Sequence, residues 1–448
     1  MLRRFKDKIN GDLHLKELLR GSGISFILKI IGMGFGYIFT ILLTRNYGAK
    51  ITGIYTLSLV VLQVGTIIGE LGMNTAVLRF VAEYNSQNKK NMVNEVYKKI
   101  IKLIIPISLL TSIAVFFLSP YIARYFFHKN YLSNYFRIIS IGIFPYVLFT
   151  INLESLRGLK KIKEYAFLQN MGIPFLASIT LGLSLLIIRN NYIPVSIYTV
   201  SIFIMSLLSC FLWFKKFYPI VASNHLFLNN KTHVISYKNI LSVSISMLIS
   251  SSLGSFIGLI DIIILGIFKT SSAVGIYGVA VKLSSIVVLS LSVINAIAAP
   301  KFAEFWGERD KEGLLKIARQ STKIIFWTSF PILLIIITIP NYILGFFGLE
   351  FRTGFIALIM LAFGQFINAI SGSVRYILEM TGFQLFSQNI MIASVIINII
   401  LNLLLVPKYS IDGAAFASMI TLIFWNLTMG NKVKNILGGW VLYKPFYN

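Results

Sequence analysis

Five charged side chains fall inside long apolar runs: Lys29, Glu70, Asp261, Lys282 and Arg375. A charge within a hydrocarbon layer is costly, so residues of this kind mark ion or substrate paths. Cationic side chains there suit an anion. A compact anion can exchange its hydration there for charge-assisted hydrogen bonds. Lys29, Lys282 and Arg375 are therefore the candidate anion ligands. Glu70 and Asp261 are the candidate coupling groups, able to pair with a lysine or to exchange an ion.

Spacing suggests how these charges are accommodated. Lys29 lies ~10 Å into its run at 1.5 Å per residue, and Glu70 lies at a similar depth in the next one. The two can pair, or the Lys29 stem can snorkel to the interface. Asp261 and Lys282 flank a short connection in the same way. They can pair, or each can be solvated at the mouth of a wet cavity. Arg375 sits near the end of its run, as a cleft cation or an interfacial anchor. Glu154 and Arg157, spaced i, i+3, are expected to pair with each other. Gln365 and Asn368, one turn apart, are candidate polar contacts to a substrate, whereas Asn398 and Asn402 at i, i+4 are expected to pack their helix.

Other chemistries lack their residues. Cys210 is the sole cysteine, and the four histidines show no ligand spacing, so no metal site is expected. No Walker sequence is present, and no cofactor is expected. Gly32, Gly34 and Gly36 resemble a nucleotide loop only in spacing. No strand precedes them, and close packing or a bend explains them better.

The elements that must position these residues are transmembrane helices. The chain is 56% hydrophobic and only 13% charged, against about 25% charged in ordinary soluble domains. Ile24–Leu43, Ile240–Ile260, Ile324–Ile339 and Ile390–Val406 are long enough to cross ~30 Å of hydrocarbon as helices. About twelve such spans can be placed along the chain, so the expected fold is an all-α polytopic membrane protein. The net charge of +25 sits in the connections and reads as a topology signal, not as a nucleic-acid site. With the N-terminus in the cytoplasm, cytoplasmic connections carry roughly three times as many lysines and arginines as outer ones. Both termini are then cytoplasmic. Residues 1–21 read as a basic amphipathic arm on the inner leaflet. Residues 22–216 form an N-lobe, 217–239 a cytoplasmic linker, 240–430 a C-lobe and 431–448 a cytoplasmic tail.

The second half echoes the first at an offset of about 220 residues, the mark of an internal repeat. Thr52-Gly53-Ile54-Tyr55 matches Val274-Gly275-Ile276-Tyr277. Asn74 with Ala82-Glu83-Tyr84 matches Asn295 with Ala303-Glu304-Phe305. Pro106 matches Pro331, and Gln169-Asn170 matches Gln388-Asn389. Six spans per half make this a parallel repeat, with a central cleft expected between two six-helix lobes.

Several stretches resemble the polysaccharide-biosynthesis, or lipid-linked oligosaccharide flippase, family of the multidrug/oligosaccharidyl-lipid/polysaccharide exporter superfamily. They are Leu43-Thr44-Arg45-Asn46-Tyr47-Gly48 into Gly53-Ile54-Tyr55, and Leu71-Gly72-Met73-Asn74 into Arg79-Phe80-Val81-Ala82-Glu83-Tyr84. Leu156-Arg157-Gly158-Leu159, Asp261 ahead of Gly275-Ile276-Tyr277, and Asn398, Asn402, Pro407 and Gly413-Ala414-Ala415 complete the set. The resemblance implies no enzymatic step. Its implied function is flipping undecaprenyl-diphosphate-linked oligosaccharide from the inner to the outer leaflet of a bacterial or archaeal cytoplasmic membrane by alternating access. A polymerase or ligase of the same surface-polysaccharide pathway is an implied partner. There is a departure at Ile262, where the family often has a basic residue after the acid. A cation-coupled multidrug antiporter of the same superfamily is the alternative. A glycosyltransferase or polymerase would need large outer loops, and the loops here are short.

Overall fold

The computed structural model describes residues 13–187, 189–222 and 235–443, and every described element is helical. The first twelve residues of the expected arm, most of the linker and the last five residues of the tail lie outside the described residues. Seven helices are long and apolar enough to cross a membrane, or up to nine if each bent pair is one span. The sequence expectation was about twelve. Part of the gap lies in two very long helices. α1 (Leu13–Glu70) carries a non-helical break at Gly48. The last helix (Gln384–Leu437, 54 residues) carries one at Ser410. Each has the length for two passes.

The described residues divide into two compact units. One comprises Met1–Leu42 with Ser58–Ser252, the other Leu43–Leu57 with Leu253–Asn448.

In the first unit, α2 (Met73–Ser86), α3 (Lys90–Tyr121), α4 (Leu132–Ser140) and α5 (Ile143–Gly158) follow α1. A short helix α6 (Ile162–Ala166) and a π turn lead into α7 (Ile173–Ser184) and α8 (Ile193–Ala222). A buried polar knot ties three of these helices. The Tyr97 hydroxyl on α3 donates to Asn152 Oδ1 on α5 at 2.7 Å, and Asn152 Nδ2 donates to Ser209 Oγ and Cys210 Sγ on α8, both at 3.1 Å. Every capacity of the Asn152 amide nitrogen is used, which is what makes a buried amide tolerable. Trp213 stacks between Tyr97 and Phe217, at 4.4 and 4.8 Å.

In the second unit, α9 (Tyr237–Phe268, which begins in the first unit) leads to α10 (Ser271–Ser284), α11 (Leu289–Gly307) and α12 (Lys311–Thr338). A short α13 (Pro340–Gly345) precedes α14 (Phe355–Ile370), α15 (Val374–Met380) and α16 (Gln384–Leu437). Phe302, Leu314, Ile377, Met429 and Val433 centre its apolar core.

Both units contain a sharply bent span. α4 and α5 meet at 41°, and α10 and the start of α11 at 52°. A bend frees backbone carbonyls that lipid cannot satisfy. In each case a serine on a neighbouring helix supplies the donor. Ser112 on α3 donates to the Ser140 carbonyl at 2.7 Å, and Ser329 on α12 donates to the Val287 carbonyl at 2.6 Å.

Gly32 shows why a glycine is needed in α1. A Cβ there would lie 1.9 Å from the Asn170 carbonyl oxygen, whereas nothing lies within 4 Å of one at Gly34. Backbone contact explains the first, and the second is open. Gly32→Ala should therefore lose about 1–3 kcal/mol through overpacking. Gly34→Ala should be neutral or gain up to ~1 kcal/mol from helix propensity. Thermal unfolding of the two variants in detergent checks the contrast, and equal midpoints would contradict it.

Candidate functional site

The strongest polar constellation in the second unit surrounds Asp261 on α9. This carboxylate is 3% exposed and accepts hydrogen bonds from four neutral groups. Asn398 and Asn402 donate through Nδ2 to Oδ1 at 3.2 and 2.8 Å. The Tyr277 hydroxyl on α10 donates to Oδ2 at 2.7 Å, and the Ser418 hydroxyl donates to the same oxygen. Four donors replace much of the hydration that burial removes, so the charge is held without a cation.

Two chain reversals make this convergence possible. Residues 402 and 418 would lie roughly 24 Å apart in a straight helix. They reach one carboxylate because α16 breaks at Ser410, with φ 52° and ψ −128°. Residues 261 and 277 are also 16 apart, and the chain turns between them at Lys269 and Thr270. The Thr270 side chain caps α10 by accepting from the Ala273 amide at 3.3 Å. Lys269 Nζ then donates to the Pro407 carbonyl at 2.9 Å, tying one reversal to the other.

The two asparagines hold a further feature. Their amide nitrogens must face the carboxylate, since an oxygen turned toward it would repel. Their Oδ1 atoms are consequently left buried with no hydrogen-bond partner among the described residues. The cluster thus combines a carboxylate, two hydroxyls and two unsatisfied amide oxygens. Among the described residues no group of three or more His, Cys, Asp or Glu side chains could hold a metal ion.

The first unit has a second buried acid. Glu70 is 6% exposed and ends α1, where Leu71 (φ 46°) and Gly72 (φ 73°) reverse the chain into α2. The Thr150 hydroxyl on α5 lies 2.5 Å from Glu70 Oε1 and 2.8 Å from the Val147 carbonyl. It has one proton for two acceptors. A protonated Glu70 would resolve this by donating to Thr150 while Thr150 donates to Val147. Glu70 thus shares one hydroxyl with a carbonyl, whereas Asp261 accepts from four donors.

Among the described contacts, Glu70 is hydrogen-bonded to Thr150, and Asp261 to Tyr277, Asn398, Asn402 and Ser418. Lys29 on α1 and Lys282 on α10 are both partly buried. Arg375 pairs with Glu379 one turn along α15 at 2.8 Å. Glu154 and Arg157 pair as their spacing predicts, at 3.3 Å. Asn368 Nδ2 and Gln365 Oε1 lie 3.5 Å apart on α14, both partly buried. Asn398 and Asn402 were expected only to pack their helix. Their i, i+4 spacing does put both on one face, and the missing information was that Asp261 lies against that face.

The polysaccharide biosynthesis protein family matches residues 18–306, and the MatE family matches residues 246–404. A "probable low-salt glycan biosynthesis flippase Agl15" of Haloferax volcanii is 23% identical over 90% of this chain and 81% of its own length. The uncharacterized membrane protein MJ1375 of Methanocaldococcus jannaschii is 26% identical over 90% of this chain and 95% of its own. Among solved structures, an inward-facing multidrug resistance MATE family transporter superposes with a TM-score of 0.73 at 14% identity. It covers 92% of this chain and 98% of its own. The lipid II flippase MurJ, in an inward closed conformation, gives 0.70 at 16% identity over 93% of this chain and 87% of its own. With its long apolar helices, the chain is a multi-pass membrane protein, and it belongs to the polysaccharide biosynthesis protein family.

Proposed function

We propose that the protein moves an undecaprenyl-diphosphate-linked oligosaccharide from the inner to the outer leaflet of the cytoplasmic membrane, with both termini on the cytoplasmic side. The observation that carries this reading is the placement of Lys29 and Lys282 within apolar helices, in a chain of a glycan-handling family. Their sign suits a diphosphate. The relative from Haloferax volcanii, named as a glycan biosynthesis flippase, supports the cargo class.

The lysines bind the diphosphate by replacing water with charge-assisted hydrogen bonds. Arg375, already engaged by Glu379, contributes by exchanging that partly buried partner for the cargo. Gln365 and Asn368 offer amide contacts to sugars. The prenyl tail stays in lipid. Moving two negative charges outward, as an inside-negative potential drives them, gains about 4–5 kcal/mol per 100 mV. Asp261 and Glu70 add ion coupling. The first holds a cation, and the second carries a proton.

A second reading is favoured by the MatE match over residues 246–404 and by the MATE superposition. A drug antiporter would use Glu70 and Asp261 to attract an organic cation. Both carboxylates are buried and already served by neutral donors, which favours the anionic cargo.

Purified protein in sealed vesicles, given undecaprenyl-diphosphate-linked oligosaccharide and an imposed potential, tests the reading. The parent chain should transport it. Lys29→Ala and Lys282→Ala should each lose transport by about tenfold or more, a charge-assisted contact being worth ~1.5–3 kcal/mol, while remaining folded. Full transport by both variants would sink the anion site, and efflux of cationic dyes with no glycan movement would favour the antiporter. Asp261→Asn keeps the shape of the site and removes its charge. It should abolish the response of transport to an ion gradient while cargo binding is retained. An unchanged gradient response would remove Asp261 from coupling.

A further inference from the structure

Beyond α16 the chain turns back on its own unit. Gly438, with φ 76°, closes the helix, and Val441 joins the apolar core of Met429 and Val433. Burial of Val441 fixes where its neighbours lie. The Trp440 ring packs 3.6 Å from the place of a Cβ on Gly430 of α16. Tyr443 meets Phe326 of α12 edge-on, with ring centres 5.5 Å apart.

Three cations gather on this returning segment. Arg319 Nε on α12 donates to the Trp440 carbonyl at 2.9 Å. Lys434 Nζ stands 5.1 Å from the Trp440 ring centre, and Lys323 Nζ 5.7 Å from that of Tyr443. Arg319 and Lys323 are neighbours at i, i+4, so the three form one patch. A ring face attracts a cation without neutralising it. All three side chains are exposed, and none belongs to the four ion pairs among the described residues. The patch combines fixed positions with undiminished charge, which is what gripping a phosphate by charge-assisted bonds requires.

The same side of α12 indicates what carries the phosphate. Beyond Arg319 and Lys323 the helix exposes Ile324, Trp327, Leu334 and Ile335. Thr328 among them donates to the Ile324 carbonyl at 2.8 Å, so its hydroxyl proton is already used. From Ile324 to Leu334 the helix rises ~15 Å, about one leaflet of a hydrocarbon layer ~30 Å thick. Trp327 lies one turn from Lys323, and tryptophan settles at the boundary between headgroups and chains. A soluble acidic partner would match the cations and leave this apolar run uncovered.

We propose that Arg319, Lys323 and Lys434, set around Trp440 and Tyr443, bind the headgroup phosphate of an anionic phospholipid whose acyl chain lies along Ile324, Trp327 and Leu334. The bound lipid bridges α12, the end of α16 and the returning segment. This site goes beyond the transport reading, and its test needs no cargo.

Native mass spectrometry of the full chain in detergent, titrated with phosphatidylglycerol or phosphatidylcholine, measures it. The parent chain should hold one phosphatidylglycerol about tenfold or more tighter than phosphatidylcholine. Arg319→Gln, Lys323→Gln and Lys434→Gln should each weaken that binding by about fivefold, the effect of one cation at an anionic surface. The triple variant should lose the preference. A control removes the same charge elsewhere. Lys89, Lys160 and Lys163 are exposed on the first unit, and their joint replacement by glutamine should leave the affinity unchanged. Equal loss in both triple variants would reduce the effect to net charge and overturn the site, as would a parent chain without preference. Phosphatidylglycerol should also raise the melting midpoint of the parent and the control but not that of the site triple, and an equal rise in all three would overturn the site. Should the triple variant not fold, the three single variants decide, and unchanged affinity in all of them overturns the site. Inorganic phosphate at the concentration of the lipid should not displace it. Displacement would leave a site for free phosphate and overturn the lipid assignment.

Discussion

A peptide backbone inside hydrocarbon has no water to fall back on, and every departure from a helix needs a named partner. The bends in both units and the reversals around residues 269 and 410 all carry one. Serine supplies it at the bends, through Ser112 and Ser329. Thr270 and Lys269 supply it at the reversals. These breaks are also what bring functional side chains together. Without the break at Ser410, Asn402 and Ser418 would sit on separate turns of one rod. Asp261 could then not keep Ser418 together with the two asparagines.

The two buried acids answer the same cost in different ways. Asp261 is surrounded by donors that form a solvation shell made of protein. The price of that shell is the pair of amide oxygens left over on Asn398 and Asn402. Glu70 has one hydroxyl, already shared with a carbonyl. Its environment favours a group that gains and loses a proton over one that stays charged.

Membrane character and the helical fold were legible in the sequence, because apolar runs of fixed length carry that information directly. Asp261 and Glu70 were legible as buried charges for the same reason. Their partners were not. Pairing Asp261 with Lys282 and Glu70 with Lys29 followed from opposite charge at similar depth. Depth does not fix the rotation of a helix about its axis, and that rotation decides which face a residue meets. Arg375 shows the opposite case. Glu379 is one turn away on the same helix, so that pair was available from spacing alone. The span count fell short of twelve for a related reason. Gly48 and Ser410 each break a run that is helical on either side, so length alone counts one helix where the chain has room for two passes.

The fold superposes on transporters at 14–16% identity, and the division of labour among residues explains how so little identity suffices. A lipid-facing position such as Leu110, Phe203 or Leu404 is exposed and needs only to be apolar, so many residues serve. A packed interior position needs roughly the right volume. The constrained positions are few. Gly32, Gly53 and Gly275 must admit a neighbouring backbone, and Gly48 and Gly72 must adopt a left-handed turn. Asp261 must find its donors. Most of these lie in the short stretches that carry the family resemblance. Those stretches record where chain meets chain and where charge meets protein, and the long apolar runs between them supply the solvent-matching surface on which any such arrangement can be mounted.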